Sequence, residues 1–254
     1  KGVILESGEK ISSDTVISTT GVHNTIKKLD ENNKVLNYYE KKIDSVEPSS
    51  GHACLYIGFD DSNKNLGIKD TNLWVYPSYN HDQNVIDFNK DQNNDFPVLY
   101  MSFASSKDPE WNKNYPSKST MEVIVPSRFE NYKQWANKSW RKRGQEYEHY
   151  KEELSQRIIK QVYKHCPHLK NKISFYELST PLSTKSLANY RFGELYGINH
   201  TPQRFKQKWL KPKTPIKNLF LSGQDIVTVG LVGALSSGVL TTSVLLKKNM
   251  FKRI

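Results

Sequence analysis

Short apolar runs, alternating with polar positions, punctuate most of this chain. Residues 1–5 and 10–11 flank Glu6-Ser7-Gly8-Glu9 and read as a hairpin. Residues 14–19, Asp-Thr-Val-Ile-Ser-Thr, read as a further buried strand. Aromatic and β-branched enrichment predicts four more strands at Ala53-Cys-Leu-Tyr-Ile-Gly-Phe, Leu73-Trp-Val-Tyr, Val98-Leu-Tyr-Met-Ser-Phe-Ala and Met121-Glu-Val-Ile-Val. Polar stretches separate them. One of these, residues 81–95, is so rich in Asn, Asp and Gln that a mobile surface loop is expected. Ser127 is placed to cap a short helix, with Glu130 at the capping-box position. The period then changes from two to 3.6: Leu154, Ile158, Ile159 and Val162 mark the inner face of a long helix over residues 145–165. Cys166-Pro167 stops that helix. Ile173-Ser-Phe-Tyr-Glu-Leu-Ser is another strand, and Thr180-Pro-Leu leads on to Gly193-Glu-Leu-Tyr-Gly197. There is no internal repeat.

The last part of the chain carries the most chemistry. Residues 219–222 read as a short buried strand. Gly223, Gln224 and Asp225 follow as a tight turn, and a helix rich in small residues begins near Val229. A strand, a Gly turn and a helix N-terminus bring backbone N–H groups and the positive helix end together, where an anion or an electron-rich ring can bind. Asp225 sits where a carboxylate could accept a hydrogen bond from a sugar or ribitol hydroxyl. Residues 226–246 contain no charge, which raises a membrane span as one reading. Six Ser or Thr and three Gly within that run argue instead for a buried helix. Gly230, Ala234, Ser237, Gly238 and Thr241 fall on one face at the helical period. Small residues there would let a sheet or a flat ligand come close. Leu231, Leu235, Val239, Leu240, Val244 and Leu246 occupy the other faces, as in a helix enclosed by an α/β domain.

This segment resembles the C-terminal flavin-contacting motif of the FAD-dependent phytoene desaturase, carotenoid isomerase and retinol saturase family. The resemblance lies in Leu221-Ser222-Gly223-Gln224-Asp225 and Gly230-Leu231-Val232-Gly233-Ala234, in that order. The hairpin followed by Asp14-Thr-Val-Ile-Ser is also similar, as are the Thr-Pro-Leu and Tyr-Gly elements. The resemblance implies FAD as cofactor, with Gly223, Gln224, Asp225, Gly230, Leu231, Val232 and Gly233 at the flavin. It implies a long apolar isoprenoid, carotenoid- or retinol-like, as substrate, with saturation, desaturation or isomerisation of a carbon–carbon double bond as the reaction. It identifies no catalytic acid or base. The family's Gly-x-Gly-x-x-Gly fingerprint, which binds the pyrophosphate through backbone donors, occurs nowhere in the 254 residues. The chain is therefore expected to be the C-terminal half of such an enzyme, lacking the N-terminal half, inactive alone and holding FAD weakly or not at all.

The expected fold is α/β. A partial FAD-binding, Rossmann-like domain takes in residues 1–21 and 216–254, and a mixed-sheet plus helix substrate domain is inserted over residues 22–215. The alternative function is a non-catalytic fragment or substrate-domain module that binds no flavin and docks to a membrane or partner through basic residues. Charge supports asking that question. The net charge is +11, and residues 201–254 hold ten Lys or Arg against Asp225 alone. A solvated basic tail is the plainer reading of that asymmetry. No nucleic-acid motif accompanies it, so no nucleic-acid partner is expected. Mean hydropathy of −0.69 excludes a chain dominated by membrane spans. A cytoplasmic location, with peripheral membrane contact through the basic end, is the expectation.

Other constellations add little. His165-Cys166-Pro167-His168 supplies too few ligands for zinc, and no metal is expected. His23 and His52 titrate in a useful range but are more simply structural. Tyr56, Phe59, Trp74, Tyr76, Tyr100 and Phe103 either fill a sheet core or line an apolar tunnel.

Overall fold

A computed structural model describes residues 2–29 and 35–253, which divide into two compact units. One comprises Lys1–Ser49 and Glu194–Ile254, and the other Ser50–Gly193. The chain thus enters the first unit, leaves it, and returns.

It begins with an antiparallel hairpin, β1 (Gly2–Ile4) and β2 (Lys10–Ser12), with Gly2 opposite Ser12. Lys1, the expected first residue of that hairpin, lies outside the described residues. Gly8 closes the turn at φ 86°, a conformation natural to glycine. Next come β3 (Val16–Ser18), α1 (Val22–Lys27) and α2 (Leu36–Ile43). Neither helix is foreseen in the sequence reading. β3 is where it was expected but is not buried: Ile17 is exposed.

The second unit is built on a five-stranded antiparallel sheet. Its strands are β4 (His52–Phe59), β5 (Leu73–Val75), β6 (Leu99–Ser102), β7 (Ser119–Pro126) and β8 (Ile173–Ser179), in the order β5-β6-β7-β4-β8. Its helices are α3 (His81–Lys90), α4 (Ala104–Lys107), α5 (Trp111–Asn114), α6 (Gln145–His165) and α7 (Pro181–Ala188). Period-two burial, strict in β7 and interrupted in β4 by buried Cys54, fixes which side of the sheet is the core. Ala53, Leu55, Ile57 and Phe59 of β4 and Met121, Val123 and Val125 of β7 are buried against Ile158, Ile159 and Val162 of α6.

Two local expectations fail for identifiable reasons. The polar 81–95 stretch contains α3 rather than a loop. Asn80 caps it by accepting from Gln83 N–H at 3.2 Å, Gln83 donates to Asp87 one turn on, and Phe88 anchors it in the core. Composition misled because amide-rich surface faces need only one apolar anchor. Ser127 does not cap a helix. Its hydroxyl pairs with Tyr132 OH at 2.7 Å, and the following residues form a 3-10 turn over Phe129–Trp135. α7 instead carries a capping box, in which Thr180 accepts from Leu182 N–H and its own N–H donates to Ser183 Oγ.

Back in the first unit, α8 (Pro202–Phe205), β9 (Leu219–Leu221) and α9 (Gly230–Leu246) complete the fold. β9 pairs in parallel with β3, Val16 opposite Leu219, which joins the two distant segments of this unit. Its core is Val22, Ile26, Tyr39, Ile43, Val46, Ile198, Trp209, Leu221 and Ile226. The compact unit is therefore wider than residues 1–21 and 216–254. Residues 22–49 and 194–215 belong to it, because Val22, Ile26, Tyr39, Ile43, Val46, Ile198 and Trp209 form one core with Leu221 and Ile226.

Thr180 is fully buried and its Oγ1 also lies 2.8 Å from Tyr147 OH. Thr180→Val keeps the shape but leaves the Leu182 N–H and the Tyr147 hydroxyl without that partner. Urea unfolding is expected to show a loss of about 1–3 kcal/mol, against no more than a few tenths for exposed Thr71→Val.

Candidate functional site

The strand–turn–helix at residues 219–246 is held close by small side chains. Gly233, Ser237 and Thr241 form the buried face of α9. Thr241 Oγ1 donates to Leu221 O at 3.0 Å, and Gly223 N–H donates to Ser237 Oγ at 2.9 Å. A Cβ on Gly233 would lie 1.9 Å from Thr228 O, so no larger residue fits. The small-residue face expected from the sequence is present but centred on Gly233 rather than on Gly230 and Ala234. The other expectation for this helix fails. Leu231, Val232 and Leu235 are 87%, 74% and 70% exposed, so α9 is not enclosed by the described residues. None of the described helices is long and apolar enough to cross a membrane.

The N-terminus of α9 is bare. Its first turn holds no acidic residue, and Val229 gives no side-chain cap. Gly230 sits at φ 79°, and a Cβ there would meet nothing within 4 Å. Gly230 N–H makes only a long 3.4 Å bond to Gln224 Oε1. The backbone at Gly230 is therefore accessible, and the first turn carries no carboxylate of its own.

Asp225 is 4% exposed, and both of its oxygens are engaged. Oδ2 accepts from Val22 N–H at 2.8 Å, and Oδ1 from Ile198 N–H at 2.9 Å. Val22 is the first residue of α1, so Asp225 caps that helix and not the one that follows it. Gly197, at φ 65°, is obligatory beside it: a Cβ would lie 2.1 Å from Oδ1. The nearest basic residue in sequence is Lys217, but folding brings Arg204 close. Arg204 is buried and donates to Ile198 O at 2.9 Å and to Gln224 O at 2.6 Å. His200 completes the cluster, its Nε2 accepting from Val229 N–H at 2.9 Å. Burial, then the Arg204 charge, hold the His200 pKa below its ordinary value. Sequence reading missed His200 and Arg204. One signal was available: four residues apart, they flank a Thr-Pro helix start immediately after a Tyr-Gly turn.

The second unit presents a different surface. Trp74 pairs across strands with Tyr100, Tyr100 with Ile124, Tyr56 with Glu122 and with Glu177, and Gly58 with Phe175. These side chains share the sheet face opposite the core, and Trp74, Tyr56 and Phe175 are exposed. Phe59 and Phe103 are buried. The aromatic set thus splits by strand parity, part core and part open face. Tyr56 is only partly exposed, and the partial burial of its hydroxyl, with smaller contributions from Cys54 and Glu122, pushes it up to about 12. His52 at the start of β4 is also held below its ordinary pKa by burial. Among the described residues no group of three or more His, Cys, Asp or Glu is arranged to hold a metal ion.

Comparison with known proteins agrees in direction. No family model matches the chain. It is 31% identical over 261 residues to the all-trans-retinol 13,14-reductase of Rattus norvegicus, covering 98% of this chain and 43% of that protein. The Homo sapiens all-trans-retinol 13,14-reductase is 30% identical over the same shares. This chain is homologous to the all-trans-retinol 13,14-reductases. It spans less than half the length of these relatives. A Danio rerio relative named an inactive all-trans-retinol 13,14-reductase is 29% identical, over 97% of this chain. Among solved structures, an oxidoreductase from Methanosarcina mazei aligns with a TM-score of 0.55 at 14% identity, covering 96% of this chain and 45% of that one. At that identity it speaks for the mixed α/β fold alone.

The geometry makes a sharp demand on Asp225. Both oxygens accept from backbone N–H groups, so Asp225→Asn must turn an NH2 group toward one of those donors. A loss of about 1.5–3 kcal/mol in urea unfolding of the chain is expected. An ordinary single-acceptor cap would tolerate Asn. Gly197→Ala, which drives a methyl into the same carboxylate, is expected to cost at least as much. Unchanged midpoints for both variants would remove Asp225 from this structural role.

Proposed function

We propose that this chain is part of an FAD-dependent oxidoreductase acting on a carbon–carbon double bond of a long apolar isoprenoid, as the names of its reductase relatives suggest. The observation that carries the reading is the bare, open N-terminus of α9 set behind a Gly-Gln-Asp turn. In this reading the first unit is the C-terminal share of a Rossmann-like flavin domain. The open aromatic face of the five-stranded sheet belongs to the substrate domain.

The residues present fit a flavin. Backbone at Gly230, Leu231 and Val232 would hold it, because nothing lies within 4 Å of a Cβ at Gly230 and the first turn carries no carboxylate. Gly223 N–H is instead given to Ser237 and Gly233 is buried against Thr228, so these two shape the turn. Bound FAD supplies the two-electron chemistry that no side chain of the cluster can perform. The α9 N-terminus would stabilise negative charge on the ring edge it faces. Asp225 acts at one remove in this reading. Its carboxylate is spent on Val22 and Ile198 N–H, so it fixes the turn rather than holding a ribityl hydroxyl. The exposed Leu231, Val232 and Leu235 side chains give apolar cover to a ring or to the remainder of a longer protein. Trp74, Tyr100, Ile124, Tyr56 and Phe175 would bind an extended apolar chain by stacking and contact, without charge.

A second reading keeps its place because one relative is named inactive. A protein of this fold can then serve as a binding module without turnover, with the exposed lysines of residues 206–253 as its docking charge.

The test is the visible spectrum. The 254-residue chain lacks the fingerprint that would hold a pyrophosphate and is expected to purify colourless, binding added FAD at least about a hundredfold more weakly than a protein of the relatives' full length that contains it. That longer protein is expected to carry stoichiometric flavin. Given a reductant, it should reduce a double bond of all-trans-retinol, read by chromatography of the product. A colourless full-length protein overturns the flavin reading. A yellow protein inert toward retinol and related polyenes favours the binding module.

A further inference from the structure

His200 has no role in the sequence motif, yet it reaches across to the start of α9. Its Nε2 accepts from Val229 N–H, the backbone donor immediately before the first residue of the helix. A neutral imidazole that accepts at Nε2 must carry its proton on Nδ1, and the Ile198 carbonyl lies where it favours that proton. The ring is held in place on three sides. With Nδ1 protonated, Arg204 Nη1, 3.0 Å from both ring nitrogens, can donate only to the Nε2 lone pair that it shares with Val229 N–H. Phe205 packs edge-on at a centroid distance of 5.6 Å, and Arg204 itself is fixed by the carbonyls of Ile198 and Gln224. One segment, residues 198–205, therefore straps both ends of the loop between β9 and α9, through Arg204 at Gln224 and through His200 at Val229.

We propose that His200 is the positioning residue for the N-terminus of α9, and that its protonation releases the strap and so makes this end of the helix acid-sensitive. As far as flavin is concerned, the inference rests on the function proposed above; the strap itself does not. The physical reason is donor against donor. An imidazolium has N–H at both ring positions, so Nε2–H would face Val229 N–H with no acceptor between them. The new charge would also face the Arg204 guanidinium and the positive end of α9. Among the described residues the charged groups acting on the ring are Arg204, which opposes protonation, and Asp225, which weakly favours it. Burial and Arg204 win, and the folded pKa lies below the unfolded one. The unfolded chain therefore binds more protons in that interval, and stability falls as pH drops below the ordinary histidine value and on through the folded pKa.

Three proteins distinguish this from passive packing: wild type, His200→Gln, which offers an acceptor that does not titrate, and His200→Leu, which offers none. Two readings on the full 254-residue chain come first. Nitrogen-15 spectra of the wild-type ring are expected to show the Nδ1–H tautomer at pH 7.5 and a pKa below that of an exposed histidine. Amide exchange is expected to show Val229 protection factors about tenfold higher in wild type than in His200→Leu at pH 7.5. That advantage should vanish as the pH falls through the ring's pKa, while His200→Gln stays protected throughout. An Nε2–H tautomer, or equal Val229 protection in wild type and His200→Leu, overturns the proposal. The third reading is FAD affinity of the full-length protein. It is expected to weaken about tenfold between pH 7.5 and the foot of the His200 titration in wild type, beyond any change in His200→Gln. If the amide responds and no flavin binds at any pH, the strap stands and the flavin reading falls.

Discussion

One carboxylate organises the first unit. Asp225 ties three stretches of backbone that are far apart in sequence: the β9 turn in which it lies, the first residue of α1, and the loop at Ile198. A buried carboxylate costs several kcal/mol unless its lone pairs are met. Here they are met by two N–H groups, each of which would otherwise be buried without a partner. The arrangement also requires Gly197, because only hydrogen fits beside Oδ1. The parallel pairing of β3 with β9 and the capping of α1 thus share one dependence, and the α9 turn inherits its position from both.

Much of the architecture was legible where the pattern was strong. α6 was foreseen over its full length because Leu154, Ile158, Ile159 and Val162 repeat at 3.6 residues and Pro167 cannot continue the helix. The five strands of the sheet were foreseen because alternation and β-branching agree. α1 and α2 were missed because they are short and take their stability from the Val22, Ile26, Tyr39 and Ile43 contacts with Trp209 and Leu221, which lie far off in sequence. α3 was missed for the opposite reason: its surface residues look like loop, and Phe88 carries its packing.

The candidate site was legible as a motif but not as a mechanism of support. Gly223, Asp225 and Gly233 could be singled out because a tight turn and a close-packed helix demand such residues. What Asp225 does could not be read, because its two donors lie 203 and 27 positions away. Nor could the exposure of Leu231, Val232 and Leu235 be foreseen. An uncharged helix looks buried in a sequence, and only the fold shows which of its faces the chain actually covers.

The choice of Arg204 follows from the same geometry. The position needs one side chain that donates to the carbonyls of Ile198 and Gln224 and lies against an imidazole without gaining or losing a proton. A lysine could reach one carbonyl at a time, and burial would press it to deprotonate. A guanidinium spans both and keeps its charge even though burial lowers its pKa. It is therefore misleading to count Arg204 with the basic end of the chain. It is one of the ten cations in residues 201–254 by sequence, but it faces inward. There burial and then its charge hold the His200 pKa below the ordinary histidine value, which favours the neutral ring that accepts beneath the start of α9.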